Sequence, residues 1–335
     1  MKCLTYLLCN AVIAVSTLSV QAGSAFFSAD GKTVTVVPRW KTDILWQLNI
    51  DSGKLTELTL PAELKKEGVG AIARGGDGET LLTSGGAVWV LKEDGTAKRI
   101  CDLGAAKDPS DLFVATGQGA PVSDWLFVSA PDDADSSKRH ILYARKPGAK
   151  AFQSVFCRRI ENVYGGVFGE GGRLFFHANG DIWEGGLSTE SEEGMPAATL
   201  VGARIAPLAM LNTDGSNGGS MLVNSISPAG KWIYAGLRGH HMGCIMRVAL
   251  PAKPIYTETS DDIPDAKAHL AAMKASLDKT EILVENTGAL DAFAACEVDG
   301  NPLVFYRGDT DDEGLGLWLW TGKGAPRRLA TEPSE

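Results

Sequence analysis

Hydrophobic and polar positions alternate in short runs along this chain, and the runs recur in fours. The clearest unit opens with Phe27-Ser28-Ala29-Asp30-Gly31-Lys32-Thr33-Val34-Thr35-Val36-Val37, which reads as a strand end, a tight turn and a second strand. The Asp-Gly step supplies the positive φ that a short hairpin turn needs, and the β-branched residues after it favour a pleated strand. Related phrases lie at 76–82, 169–176 and 227–234, and a looser one ends on Asp124-Trp125-Leu126-Phe127-Val128. A second strand pair follows each phrase. Residues 44–50 pass through Asp51-Ser52-Gly53-Lys54 into 55–58, and 87–91 pass through Glu93-Asp94-Gly95 into 97–100. Residues 141–144 and 317–320 do the same through Lys146-Pro147-Gly148 and Gly322-Lys323-Gly324.

Each unit therefore predicts four short antiparallel strands, and the unit repeats every ~40–50 residues. Four-stranded units repeated around an axis are the blades of a β-propeller. The predicted fold is an all-β propeller of six blades, at 24–60, 69–103, 111–157, 163–203, 220–257 and 290–331. Residues 204–219 read as a long loop. Residues 258–289 read as an insertion: 263–274 have helical composition after Pro264, while 276–284 echo the strand phrase and offer an abbreviated seventh blade as the alternative. The tryptophans at 46, 89, 183, 232, 318 and 320 fall on strand positions and read as packing between blades.

The phrase Phe27-Ser28-Ala29-Asp30-Gly31-Lys32-Thr33-Val34, followed by Leu45-Trp46-Gln47-Leu48 and Gly53-Lys54 with Leu58, resembles the TolB-like, WD40-like propeller repeats. The match is best over 28–58 and 227–250. The resemblance implies the architecture and leaves the activity open, because many unrelated functions use this scaffold.

The ends and the composition refine the picture. Met1-Lys2 begins a short basic start, residues 4–20 are mostly apolar, and Val20-Gln21-Ala22 has the small residues of a cleavage site. A signal peptide over 1–22 is expected, leaving 23–335 as one propeller domain that is periplasmic or secreted. The run is short and polar-interrupted for a membrane span, and no later segment is long and apolar enough for one. A formal charge of −9 argues against nucleic acid as a partner. Cys101, Cys157, Cys244 and Cys296 follow the signal. They permit two disulfides or four buried thiols, and their irregular spacing is unlike a zinc site.

Within a blade, the turns after the first and third strands share one face. The loops after the second and fourth strands share the other. The first face carries tight Gly turns, and the second is chemically richer, so it is the expected working surface. Its candidates for ligand binding are Arg39, Trp40, His177, Arg238, His240 and His241. Arg39-Trp40-Lys41 offers a cation and a stacking surface for a sugar or peptide. Arg238-Gly239-His240-His241 suits a phosphate, a carboxylate or, less readily, a metal, because adjacent side chains of an extended segment point opposite ways. Asp309, Asp311 and Glu313 place oxygens at alternate positions before Gly314, like the first half of a calcium loop, although Trp320 stands where the later glutamate belongs. Otherwise no cofactor is expected.

The sequence has no G-x-S-x-G elbow, no glycine-rich phosphate loop and no H-E-x-x-H. The leading expectation is an exported, non-catalytic scaffold that binds another exported protein or a cell-envelope glycan. The alternative is an enzyme acting on a carbohydrate or lactone through carboxylates and histidines at the central channel. A third reading is a structural subunit docking through 258–289. A close acidic pair or a Glu–His–Asn metal cage at the axis is the feature that favours the enzyme.

Overall fold

Turn chemistry at the first hairpin shows how the sequence enforces the blade. Ser28 Oγ donates to Asp30 Oδ1 at 2.7 Å, and the same oxygen accepts the Lys32 amide at 3.1 Å. Gly31 follows with φ of 68°, a conformation that L side chains rarely adopt. The turn at 92–96 repeats this logic: Asp94 Oδ1 accepts the Thr96 amide at 2.9 Å, and Gly95 has φ of 80°.

The computed structural model describes residues 23–75, 78–114, 124–132, 139–157, 160, 162–169, 172–178, 180–188, 199–206, 222–238, 243–250, 280–285, 287–288, 290–310 and 314–332. They form a six-bladed β-propeller. Blade one is β1 (Gly23–Phe27), β2 (Thr33–Val36), β3 (Ile44–Asn49) and β4 (Leu55–Thr59). A short helix, α1 (Ala62–Glu67), leads to blade two: β5 (Ile72–Arg74), β6 (Thr80–Ser84), β7 (Ala87–Leu91) and β8 (Ala97–Asp102). Blade three is β9 (Asp111–Val114), β10 (Leu126–Pro131), β11 (His140–Arg145) and β12 (Gln153–Ser154). The two-residue β13 (Phe156–Cys157) then clips in parallel onto the outer edge of blade four. That blade is β14 (Val163–Phe168), β15 (Leu174–Ala178), β16 (Asp181–Ser188) and β17 (Thr199–Ala206). Blade five is β18 (Leu222–Ala229), β19 (Trp232–Arg238), β20 (Gly243–Ala249) and β21 (Thr280–Val284). Blade six is β22 (Ala292–Val298), β23 (Asn301–Thr310), β24 (Gly314–Trp320) and β25 (Arg327–Thr331).

One expectation needs correction. The fourth strand of blade five was placed before 257, and 276–284 was set outside the blades with a seventh blade as an option. Instead β21 pairs with β20, Arg247 opposite Glu281, so this echo of the repeat is the outer strand of blade five. The intervening 251–279, including the helical run at 263–274, lies outside the described residues, as do 1–22 and most of the loop expected at 204–219.

The core is six clusters of buried side chains, one between each pair of neighbouring blades. Phe113, Phe127 and Phe176 fill the junction of blades three and four. Tyr234, Phe293 and Trp320 fill that of five and six. The tryptophans at 46, 89, 183, 232, 318 and 320 all pack within these junctions, as expected. Cys101, Cys157, Cys244 and Cys296 are thiols outside any disulfide, in four different junctions. Among the described residues no helix is long and apolar enough to cross a membrane.

The ring closes between blade six and blade one. The two blades are each built from consecutive sequence, and β1 pairs in parallel with β22 through Gly23↔Ala292 and Ser24↔Phe293. Beside this short ladder, fully buried Arg307 donates from Nε to Asp291 Oδ1 at 2.5 Å. Its Nη1 donates to the Val37 carbonyl at 2.8 Å and to Glu332 Oε2 at 3.3 Å. Glu332 Oε1 accepts the Arg39 amide at 2.8 Å, and the Arg39 guanidinium sits 3.2 Å from Asp291 Oδ2. Two arginines and two carboxylates thus bind the last strands to the first blade. Replacing Asp291 by Ala leaves Arg307 buried without its main counter-charge. Urea denaturation is expected to show a loss of about 3–5 kcal/mol, and the paired replacement Asp291→Leu with Arg307→Met much less. A single-variant loss under about 1 kcal/mol would contradict this account of closure.

Candidate functional site

The innermost strands β1, β5, β9, β14, β18 and β22 ring the axis and enclose a channel with a cavity of about 470 Å³. At the face that carries the loops after the second and fourth strands, two groups of polar side chains gather. One is a rim on blades five, six and one. The other lies inside the bore on blades three and four.

The rim is built on the closure network. Arg39 follows β2 and is tethered by Glu332 and Asp291. Its guanidinium stacks over the Trp40 ring at 4.8 Å, and Trp40 itself is 59% exposed. Arg238 ends β19 in the field of the same groups. Burial lowers its basicity, Asp291 opposes that, and Arg39 adds to it; its Nη1 is buried without a hydrogen bond. Burial raises the pKa of Glu332, with the Arg307 charge opposing.

The bore group centres on Asp111, the first residue of β9. Its Oδ1 accepts the Leu112 amide at 2.9 Å, and its Oδ2 accepts the Gly166 amide of the next blade at 3.1 Å. Protein surrounds the carboxyl except where it opens on the bore, and this burial pushes its pKa up to about 7, against the pull of the two amides. Among the described residues no lysine or arginine contributes to its electrostatics. His177, near the end of β15, is 5% exposed, and burial pushes it down to about 4; the Val223 carbonyl opposes this and His140 reinforces it. Gly165 lets the two groups converge. A Cβ there would lie 2.3 Å from Asp111 Oδ2 and 2.8 Å from His177 Nε2. Behind them Tyr164 stands between the rings of His140 at 4.8 Å and His177 at 6.2 Å, and Ser110 Oγ lies 3.2 Å from His140 Nδ1.

Of the sequence candidates, Arg39, Trp40 and Arg238 are thus placed at the rim and His177 in the bore. His240 and His241 lie outside the described residues. So do Asp311 and Glu313, while Asp309 lies in β23 opposite Leu315. Among the described residues no group of three metal-ligating side chains occurs. Asp111, Asp291, Arg307 and Glu332 were not anticipated. Asp291 and Glu332 flank strands, and nothing in the spacing of any of the four marks its partner.

The fold and this polar face define the class: a six-bladed propeller with an open bore and an ionic closure. No protein-family model matches the sequence, and no curated protein matches it. Among solved structures, a gluconolactonase of Xanthomonas campestris is 13% identical, with a TM-score of 0.51 over 90% of this chain and 86% of its own. A candidate TolB of Agrobacterium tumefaciens is 14% identical, with a TM-score of 0.51 over 84% of this chain and 86% of its own. At these identities the likeness is one of fold.

Asp111 and His177 act on stability in opposite senses. Asp111 has a folded pKa above its ordinary 3.8, so its contribution is full at low pH and is lost as pH rises through about 7. His177 has a folded pKa below its ordinary 6.5, so its contribution is full above 6.5 and is lost as pH falls through about 4. Between these limits the two slopes offset. Thermal or urea denaturation is expected to show His177→Gln losing stability as pH rises through this window and Asp111→Asn gaining it. Each slope is at most about 1.4 kcal/mol per pH unit. Equal profiles for both variants would show that the shifts are not of this kind.

Proposed function

We propose that this protein is an exported, non-catalytic propeller that binds its partner on the loop-rich face, with Arg39, Trp40 and Arg238 as the contact residues. The observation that carries this reading is the state of Trp40. A large indole stands 59% exposed while a cation covers one of its faces at 4.8 Å. That cation is held in turn by the Asp291 carboxylate, and Glu332 accepts the Arg39 backbone amide. An aromatic anchored in this way loses little side-chain entropy when it engages a ligand, which is the usual advantage of a pre-organised contact. The free ring face suits a sugar ring or a peptide side chain, and Arg238 adds a cation for a carboxylate or phosphate.

A cell-envelope glycan or another exported protein supplies both features, and the acidic overall charge disfavours nucleic acid. Export rests on the apolar segment before Gly23 and on Val20-Gln21-Ala22. The same scaffold serves a gluconolactonase, so the fold itself accommodates catalysis. A cage of three metal ligands is nonetheless missing among the described residues.

The test is titration of the exported chain with soluble acidic peptidoglycan fragments, followed by calorimetry. Trp40→Ala is expected to weaken binding at least about tenfold with an unchanged melting temperature, since the indole is exposed. Arg238→Gln is expected to weaken only the binding of charged fragments. Undiminished binding by both variants would move the contact surface elsewhere.

A further inference from the structure

The bore raises a question that the rim does not answer. Asp111 presents a carboxyl group to a channel of mixed polar and apolar lining, and among the described residues no lysine or arginine acts on it. Phe26, Phe113, Phe168 and Phe293 border the same cavity from the blade junctions, and its volume of about 470 Å³ is that of a small-molecule site. Both carboxyl oxygens are fixed by amides from two different blades, so the group is held in place rather than free to swing toward water. Beside it His177 Nε2 faces the same gap over Gly165. Asp291, just before the inner strand of the opposite blade, provides the contrast: two arginines neutralise it.

An ionised carboxylate without a partner is expensive to bury, and a ligand that brings a positive charge removes that penalty. A neutral imidazole accepts one of its N–H groups. We propose that the bore binds a small organic amine in its ammonium form, with the charged head on Asp111 and His177 and the stem along the bore. This site is separate from the rim and does not depend on the partner proposed there.

The proposal fixes a pH signature. At pH below about 7 Asp111 holds a proton that the ammonium must displace, so affinity rises with pH and a proton is released on binding. The other titratable groups facing the site or its bore are His177 from β15, Tyr164 from β14 and His140 from β11. Farther along the bore are Arg74 from β5 and Cys296 from β22. His177 changes charge only near pH 4, and burial raises the Cys296 thiol to about 12. Neither titrates in the window that Asp111 occupies.

The experiment is calorimetry of the full chain with 2-phenylethylamine and its neutral counterpart 2-phenylethanol, at pH 5.5 and 7.5, in two buffers of different ionisation enthalpy. At pH 7.5 the amine is expected to bind at least about tenfold tighter than the alcohol, because only the amine forms the charged contact. Its affinity is expected to fall more than about tenfold at pH 5.5, with proton release, while that of the alcohol stays constant. Asp111→Asn, folded by circular dichroism, is expected to lose the preference for amine. The proposal is overturned by equal binding of amine and alcohol, by an amine affinity that ignores pH, by an Asn variant that keeps the preference, or by no binding of either compound at ~10 mM, the weak end of measurable affinities. Should Asp111→Asn fail to fold, the comparisons on the unaltered chain decide alone.

Discussion

A ring of blades is only as stable as its last junction, and here that junction is held by Arg307. Five junctions join blades that follow one another along the chain. The sixth must bring together segments separated by 270 and 293 residues. The parallel ladder between β1 and β22 has two residue pairs, and the apolar cluster of Phe27, Trp46 and Phe305 lies alongside it. The buried charges add selectivity more than net stability, because desolvation offsets most of their attraction. A slip of β23 against the first blade would strand a guanidinium and two carboxylates in the interior. That asymmetry between the right register and every wrong one is what an ionic closure provides.

The same network explains why chemistry gathers on one face. Inner strands begin on the face of the richer loops, and two of those beginnings carry aspartates, Asp111 in blade three and Asp291 at the head of blade six. Asp111 is the first residue of β9 and Asp291 immediately precedes β22, on opposite sides of the axis. Asp291 lies between Arg39 and Arg307 and becomes part of the closure. Asp111 meets two backbone amides and a neutral histidine, and burial holds its proton near neutrality. Two strand beginnings thus yield a structural anion in one blade and a titrating one in another. The difference lies in the neighbours each blade supplies, and the result is a channel mouth with uneven electrostatics.

Much of the fold was legible because its signals are local. Asp-Gly and Gly turns, β-branched strands and the recurrent Leu-Trp phrase lie within single hairpins, and they gave six blades close to their observed limits. The outer strand of blade five was misplaced because 29 residues lie between Leu250 and Thr280, and a repeat period cannot be followed across such a gap. At the site, Arg39, Trp40, His177 and Arg238 stood out as polar or aromatic residues beside expected turns. Asp111 and Arg307 did not, since one opens an apolar strand and the other lies within one. Their roles come from partners that only the closed ring brings near.

The cysteines show why closure had to be non-covalent. Four cysteines lie beyond residue 22, and disulfides form only where the surroundings are oxidising. Yet each thiol lies in a different junction between blades, so radial packing keeps them apart. Burial also raises their pKa, to about 11 for Cys157 and Cys244 and about 12 for Cys296, and the thiolate needed for exchange is scarce at neutral pH. The sulfur atoms therefore act as small apolar fillers. With no covalent link available between the ends of the ring, the work of fixing blade one against blade six falls to side chains that can reach across the junction and tolerate only one geometry. A planar guanidinium with fixed donors meets that requirement, which a flexible ammonium would not.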